Sequence, residues 1–244
     1  MSDTKGRELY EALAKQVKKD VPDFRVGYKD DLTWKKDWKL KIAAAVVGVF
    51  NKEFMTRFTT TLYPVVYFAS RETVEENPRQ AFRILAHEYV HLFDEDRQRV
   101  LFPVSYLFPQ VLALGALGAL GAFWSLWFLL FLLFLVALAP LPAPWRAEWE
   151  MRGYAMNMAT RYWDHGAIRD DLKEFIVDKF VSVSTYYRMW PDKKAVREEL
   201  DERASLIQSG RLLDEEYSRP YQMTRLVWMT VTNEGASQTK KPDS

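Results

Sequence analysis

Between Val100 and Pro144 this chain carries no Asp, Glu, Lys or Arg, although charged residues make up 27% of its 244 residues. The centre of the stretch, Val111 to Ala139, reads VLALGALGALGAFWSLWFLLFLLFLVALA. One bilayer crossing needs roughly 20 apolar residues, so this segment is longer than a single span. A soluble core helix of such length carries a polar stripe, and none is visible. Insertion into a lipid bilayer through residues 100–144 is therefore the expectation. A buried hairpin in a soluble or oligomeric protein is the competing reading.

A second feature decides how the stretch must turn. His87-Glu88-Tyr89-Val90-His91 is an H-E-x-x-H pentapeptide, and it uses two of the three histidines in the chain. Residues four apart lie one turn above each other on a helix, so two imidazoles face one point. They suit Zn²⁺, with the intervening glutamate beside the water that the ion activates. Leu85, Ala86, Tyr89, Val90, Leu92 and Phe93 are uncharged, as a buried helix requires. Asn77-Pro78 predicts the helix start, with Asn as cap and Pro at the first helical position, and the pattern runs to about Asp94. Two histidines that merely hydrogen-bond inside a core helix would leave Glu88 between them without a reason.

A catalytic zinc takes three protein ligands and keeps one open position. The segment after the stretch, Trp145 to Ala155, predicts a helix with two carboxylates. Glu150 is the preferred third ligand. Gly153, three residues on, allows close packing on the zinc helix, and Ala155, Met156 and Ala159 continue a small apolar face. Glu148 is the alternative, and a solvated face of Glu–Arg pairs is the plain reading of both. Arg97 stands where the longer metal motif would place a third His, and Asp94 lies too far along the helix to join the ion, so it orients a ligand or caps the helix end. His165, in the expected turn Trp163-Asp164-His165-Gly166, and Tyr154 are candidate oxyanion donors, against a surface and a packing role respectively. Glu88 is the expected general base, passing a proton to the leaving amine of a peptide bond.

Two ligands precede the uncharged stretch and one follows it, so a single crossing would separate them. The stretch must be a helical hairpin, with arms of about Val104 to Ala122 and Phe123 to Ala139. At 1.5 Å per residue these arms reach roughly 25–28 Å, which leaves spanning and re-entrant forms both open. Gly115, Gly118 and Gly121, interleaved with alanines, give one arm a smooth surface. Trp124-Ser125-Leu126-Trp127 marks the tip. Arg97 and Arg99 before the hairpin and Arg146 after it point to both ends on the cytoplasmic side.

His87-Glu88-x-x-His91 with a later Glu150 resembles the gluzincin branch of the zincin zinc metallopeptidases. The order of motif, hydrophobic hairpin and third-ligand glutamate is similar to membrane-linked gluzincins such as the HtpX type and the CAAX prenyl endopeptidases. The chain also resembles uncharacterised bacterial and phage-encoded metallopeptidases. In the membrane-linked enzymes a small residue follows the last glutamate at i+3 and an Asp at i+4; Gly153 matches, and Tyr154 stands in the Asp position. The resemblance covers about residues 60 to 160. It implies an α+β, mostly helical fold, a zincin-like core with a small sheet and a zinc-binding helix, interrupted by the hairpin. It also implies an edge strand to which a peptide or protein substrate adds, and Thr59 to Ser70 suits a strand.

The remaining sequence sets bounds. A formal net charge of +1 makes no case for nucleic acid, and the basic clusters Lys35-Lys36 and Lys39-Leu40-Lys41 beside Trp34 and Trp38 read as a solvated face. The absence of cysteine removes disulfides and thiolate ligands. Met1 to Asp20 has no apolar core, so no secretory signal is expected. No internal repeat stands out. Helices are expected over Asp3–Lys19, Lys41–Phe54, Arg169–Met189 and Pro191–Ser209, with a strand at Phe24–Tyr28. The expected division is a zincin-like part over residues 1–99, the hairpin over 100–144, a helical part over 145–232, and a disordered polar tail over 233–244. Alternatives to a membrane-associated zinc endopeptidase are a non-enzymatic membrane or assembly protein on the same scaffold, and a soluble subunit that buries the stretch against a partner. A homo-oligomer stays open.

Overall fold

Leu9, Leu13 and Val17 recur at every fourth position of α1 (Asp3–Asp20) and are fully buried. That spacing puts one apolar stripe on a helix, and the stripe faces the core. The computed structural model describes residues 3–31, 59–182, 188–213 and 218–238. It is an α+β fold, mostly helical, with one three-stranded sheet. The basic clusters between Lys35 and Lys41, the helix expected over Lys41–Phe54 and the last six positions of the expected tail lie outside the described residues.

The chain groups into two compact units, the first formed by Met1–Arg97, Gly153–Ile168 and Arg203–Ser244. In it, β1 (Arg25–Tyr28) runs parallel to β3 (Val65–Phe68), and β2 (Thr60–Leu62) runs antiparallel to β3, with Thr60 opposite Tyr67. The single strand expected over Thr59–Ser70 is thus two strands. The Tyr63-Pro64 turn divides them, because a proline removes a ladder donor. All four residues of β3 are buried in the sheet centre, and among the described residues β1 and β2 are its edges.

A short helix, α2 (Arg71–Glu76), leads into α3 (Pro78–Arg97). Asn77 closes α2, and its carbonyl accepts the first bond of α3 from Ala81 at 2.9 Å. Almost every apolar residue of α3 is buried, including Phe82, Leu85, Tyr89 and Leu92. Polar anchors fix the neighbouring helices. Tyr89 hydrogen-bonds Asp20 at the end of α1, and Arg219 of α8 (Arg219–Gln238) meets the same carboxylate at 2.6 Å. Asp164 accepts from Arg79 and Arg83 of α3 and from Trp228 of α8. Asn233 to Gln238 continue a helix rather than a disordered tail, with Val231 buried in the preceding turn and Trp228 bonded to Asp164.

The second unit comprises Gln98–Arg152 and Arg169–Glu202. It contains α4 (Leu101–Leu107), the hairpin, the first turns of α5 (Pro144–His165), α6 (Asp170–Val181) and most of α7 (Lys193–Gln208). Ile176, Val177 and Phe180 of α6 are buried, as are Val196 and Leu200 of α7. Lys173 pairs with Asp201 at 2.6 Å, and Arg197 reaches both Asp170 and Glu174. The α5 helix continues through His165 and ends at Gly166, whose φ of +71° is the left-handed conformation that glycine adopts without strain. Trp163-Asp164-His165 is thus helical, not a turn.

The hairpin departs most from expectation. Its arms are 3₁₀ helices, Gln110–Phe123 and Leu126–Leu138, joined at Trp124-Ser125. The first arm does not begin at Val104, because the chain bends by 88° between α4 and the arm, at Phe108-Pro109. Among the described residues no single helix is both long and apolar enough to cross a membrane; that bent pair passes by length and composition together. The arms also hold a repeat, contrary to the expectation of none: Ala-Leu-Gly three times from Ala113 to Gly121, and Leu-x-Phe three times from Leu126 to Phe134. A 3₁₀ helix has 3.0 residues per turn, so residues three apart stand in a straight file. An α-helix would fan each file by about 60° per repeat. The three glycines face the three phenylalanines one to one. A Cβ added at Gly115, Gly118 or Gly121 would stand 2.8, 2.4 or 2.4 Å from the ring of Phe134, Phe131 or Phe128. Those rings stack at 6.0 Å intervals, which is three residues of the roughly 2.0 Å 3₁₀ rise.

Candidate metal centre

Helix α3 carries His87 and His91 one turn apart, and their Nε2 atoms lie 3.1 Å from each other. Two nitrogens bound at about 2.0–2.1 Å to a tetrahedral ion stand roughly 3.3 Å apart, so the pair is already close to ligand spacing. Both rings are buried, at 8% and 6% exposure. Gly153 of α5 lies directly against His87: a Cβ there would be 2.6 Å from Cε1 and 2.7 Å from Nε2. Glu150 precedes Gly153 by three residues on the same unbroken helix, and it is 3% exposed. His87, His91 and Glu150 offer three ligand atoms within 4.8 Å of one another. Two imidazoles and one carboxylate are a donor set that suits zinc.

Packing separates the two carboxylates that the sequence left as alternatives. Glu148 is exposed, whereas Glu150 is buried and joins the histidines. Asp94 is buried but outside the group. Tyr154 stacks edge-on against His87 with ring centroids 5.1 Å apart. His165 ends α5 as an exposed residue, fifteen positions beyond Glu150, or about 22 Å along the helix axis, and takes no part.

The surroundings add four residues that sequence reasoning missed. Asn157 of α5 places its side-chain amide 3.1 Å from His87 Nδ1. As placed, Asn157 Nδ2 faces Nδ1; with His87 bound to a metal through Nε2 the proton would sit on Nδ1, and the amide would turn to accept it through its oxygen. Asn157 lies seven residues after Glu150, on the same face of α5, and that spacing was its only sequence signal. Tyr106 of α4 donates its hydroxyl to Glu150 Oε1. Around it, Arg146 donates to the Tyr106 carbonyl and to Gln110 Oε1, each at 2.7 Å, and Trp149 donates to Ser105 Oγ at 3.0 Å. Arg146 is therefore buried at the hairpin root.

Thr61 of β2 donates to Glu88 Oε2 at 2.7 Å, and Tyr63, in the turn that follows, donates to Asp96 at 2.6 Å. These two bonds lay the edge strand along α3. The fourth residue is Lys29, buried just past β1, whose ammonium donates to Thr60 Oγ1 at 2.7 Å. Burial pulls Lys29 down to about 8, with the charge of Glu88 acting the other way. Glu88 thus accepts a bond from the Thr61 hydroxyl and acts electrostatically on the buried Lys29 ammonium.

No protein-family model, curated protein or solved structure matches this chain. The functional reading consequently rests on the side chains themselves.

Where His87, His91 and Glu150 hold zinc, Tyr106→Phe should lower its affinity by about tenfold while leaving the fold intact, because only the hydroxyl that bonds Glu150 is removed and the ring keeps its stack on Phe102. Competition with a chromophoric chelator measures this. Unchanged affinity would mean that Tyr106 does not orient the ligand.

Proposed function

We propose that the chain is a membrane-associated, zinc-dependent endopeptidase of the gluzincin kind, with a zincin-like core and peptide or protein substrates. The observation that carries this reading is the convergence of His87, His91 and Glu150 with Glu88 alongside on the same helix. A purely structural metal site has no use for that extra carboxylate.

Zinc held by these three residues would lower the pKa of a bound water towards neutrality and polarise a substrate carbonyl. Glu88 takes up a proton and returns it to the leaving amine. Thr61 holds the Glu88 carboxylate in place for that transfer. Asn157 fixes the His87 ring, and Tyr106 fixes Glu150. Tyr154, against His87, is the nearer of the two candidate oxyanion donors. The edge strand β2 offers a substrate backbone a row of main-chain groups beside α3, which supports extended peptides with little demand on their side chains.

The membrane part of the reading is supported by the uncharged hairpin, whose root in α4 holds Glu150 through Tyr106. Placement of the catalytic part on the cytoplasmic face now rests on Arg97 and Arg99 alone, since Arg146 is buried.

Elemental analysis of the purified chain tests the reading. About one zinc per chain is expected, lost in Glu150→Ala and kept in Glu148→Ala. The reverse order moves the third ligand to Glu148, and no metal in the unaltered chain, even after zinc is added back, removes the enzymatic reading.

A further inference from the structure

The residue count usually required of a membrane span assumes an α-helical rise of 1.5 Å. The hairpin arms rise by roughly 2.0 Å per residue, so 14 and 13 residues reach about 28 and 26 Å. A bilayer's hydrocarbon core is about 30 Å thick. Short 3₁₀ arms therefore cover a distance that α-helices of the same length would not.

The surface of the hairpin says what surrounds it. Leu114, Leu117 and Leu120 are exposed along one file of the first arm. On the second arm Leu129, Leu132 and Leu135 are exposed along one file, and Leu130, Leu133 and Val136 along the next. A protein partner covers one face of such a hairpin, whereas these apolar files point away from the arm–arm contact in several directions. The small glycine file, which in many membrane helices serves association with another chain, is already filled by Phe128, Phe131 and Phe134 of the same hairpin. Within each arm the backbone bonds are made along the helix, as lipid requires. At the tip, Trp124 and Trp127 are 85% and 78% exposed around Ser125, the arrangement expected where a chain meets a membrane–water interface.

We propose that the hairpin crosses a phospholipid bilayer as one closed 3₁₀ unit, zipped by its Gly–Phe files, with the Trp124–Trp127 tip at the far interface. The inference rests on the membrane part of the proposed function and is independent of zinc and of hydrolysis.

The 244-residue chain has no cysteine, so Ser125→Cys creates a unique label site at the tip. This variant is added to preformed vesicles of phosphatidylcholine and phosphatidylglycerol and floated on a density gradient. The protein should float. The introduced tip thiol should react with a membrane-impermeant maleimide trapped inside the vesicles and resist the same reagent outside. Lys194→Cys, exposed on α7, should show the opposite pattern. Adding Gly118→Phe to the tip variant should abolish inside labelling by forcing the arms apart. Adding Phe131→Gly as well should restore it, because the pair exchanges sides of one contact. Labelling of the tip thiol from outside, or from neither side, on protein that floats overturns the crossing alone. Inside labelling that Gly118→Phe leaves unchanged overturns the zipper. Protein that stays at the bottom of the gradient, its hairpin covered by other copies, overturns the membrane reading as well.

Discussion

With zinc held as proposed by His87, His91 and Glu150, Gly153→Ala is expected to weaken its binding by about 100-fold or more. The added Cβ would stand 2.6 Å from His87 Cε1 and 2.7 Å from Nε2, far inside van der Waals contact. His87 cannot retreat cheaply, because its Nδ1 is held by Asn157 and its ring packs edge-on against that of His91. Either the imidazole turns away from the ligand point or α5 moves off α3 and carries Glu150 with it. Both outcomes break the group, and loss of a lesser orienting contact already costs about 10–100-fold. Overpacking also destabilises the fold, by about 1–3 kcal/mol. Gly6→Ala separates the two effects: its Cβ meets the Arg79 backbone at 2.9 Å, so it should lower the melting temperature and leave zinc affinity nearly unchanged. Zinc titration and thermal unfolding of both variants make the comparison. Normal affinity in Gly153→Ala would show that α3 and α5 do not hold the ligands at this distance.

Glu88→Gln should keep one zinc per chain and reduce peptide hydrolysis by about 10²- to 10⁴-fold, the usual worth of a positioned proton carrier. Glutamine is nearly isosteric, and its amide oxygen still accepts from Thr61, so neither the fold nor the metal should notice the change. Only the capacity to take up a proton is lost. Metal content and cleavage of a fluorogenic peptide, measured on the same preparation, provide the test. Hydrolysis at the original rate would assign proton transfer to another residue.

The two histidines and Glu88 could be read directly from the chain because their relation is local. A four-residue spacing on a helix fixes relative direction whatever surrounds it. The same holds for the apolar file of α7, where Val196, Leu200, Ala204 and Ile207 are all buried, and for Gly153, whose missing side chain announces a close approach without naming the neighbour. Other features were present in the sequence and escaped notice. The Ala-Leu-Gly and Leu-x-Phe repeats have a period of three, and only the 3₁₀ turn gives that period a straight face. Ser105, Tyr106 and Gln110 interrupt the apolar run with polar groups at the hairpin root, where they bond to Trp149, Glu150 and Arg146.

The sequence by itself determined the His87–His91 pair, the helix that bears it, the uncharged stretch and the mostly helical fold, since each follows from spacing or composition within a few turns of chain. Only the tertiary structure showed that Glu150, the preferred carboxylate, is buried beside the histidines while Glu148 is exposed, and that the Thr59–Ser70 segment forms two strands. It also decided the partnerships of Asn157 with His87, of Tyr106 with Glu150 and of Thr61 with Glu88. These pairs are separated by 70, 44 and 27 residues. No local periodicity encodes such contacts; they arise when helices and strands bury their apolar faces and leave particular polar groups within hydrogen-bond reach.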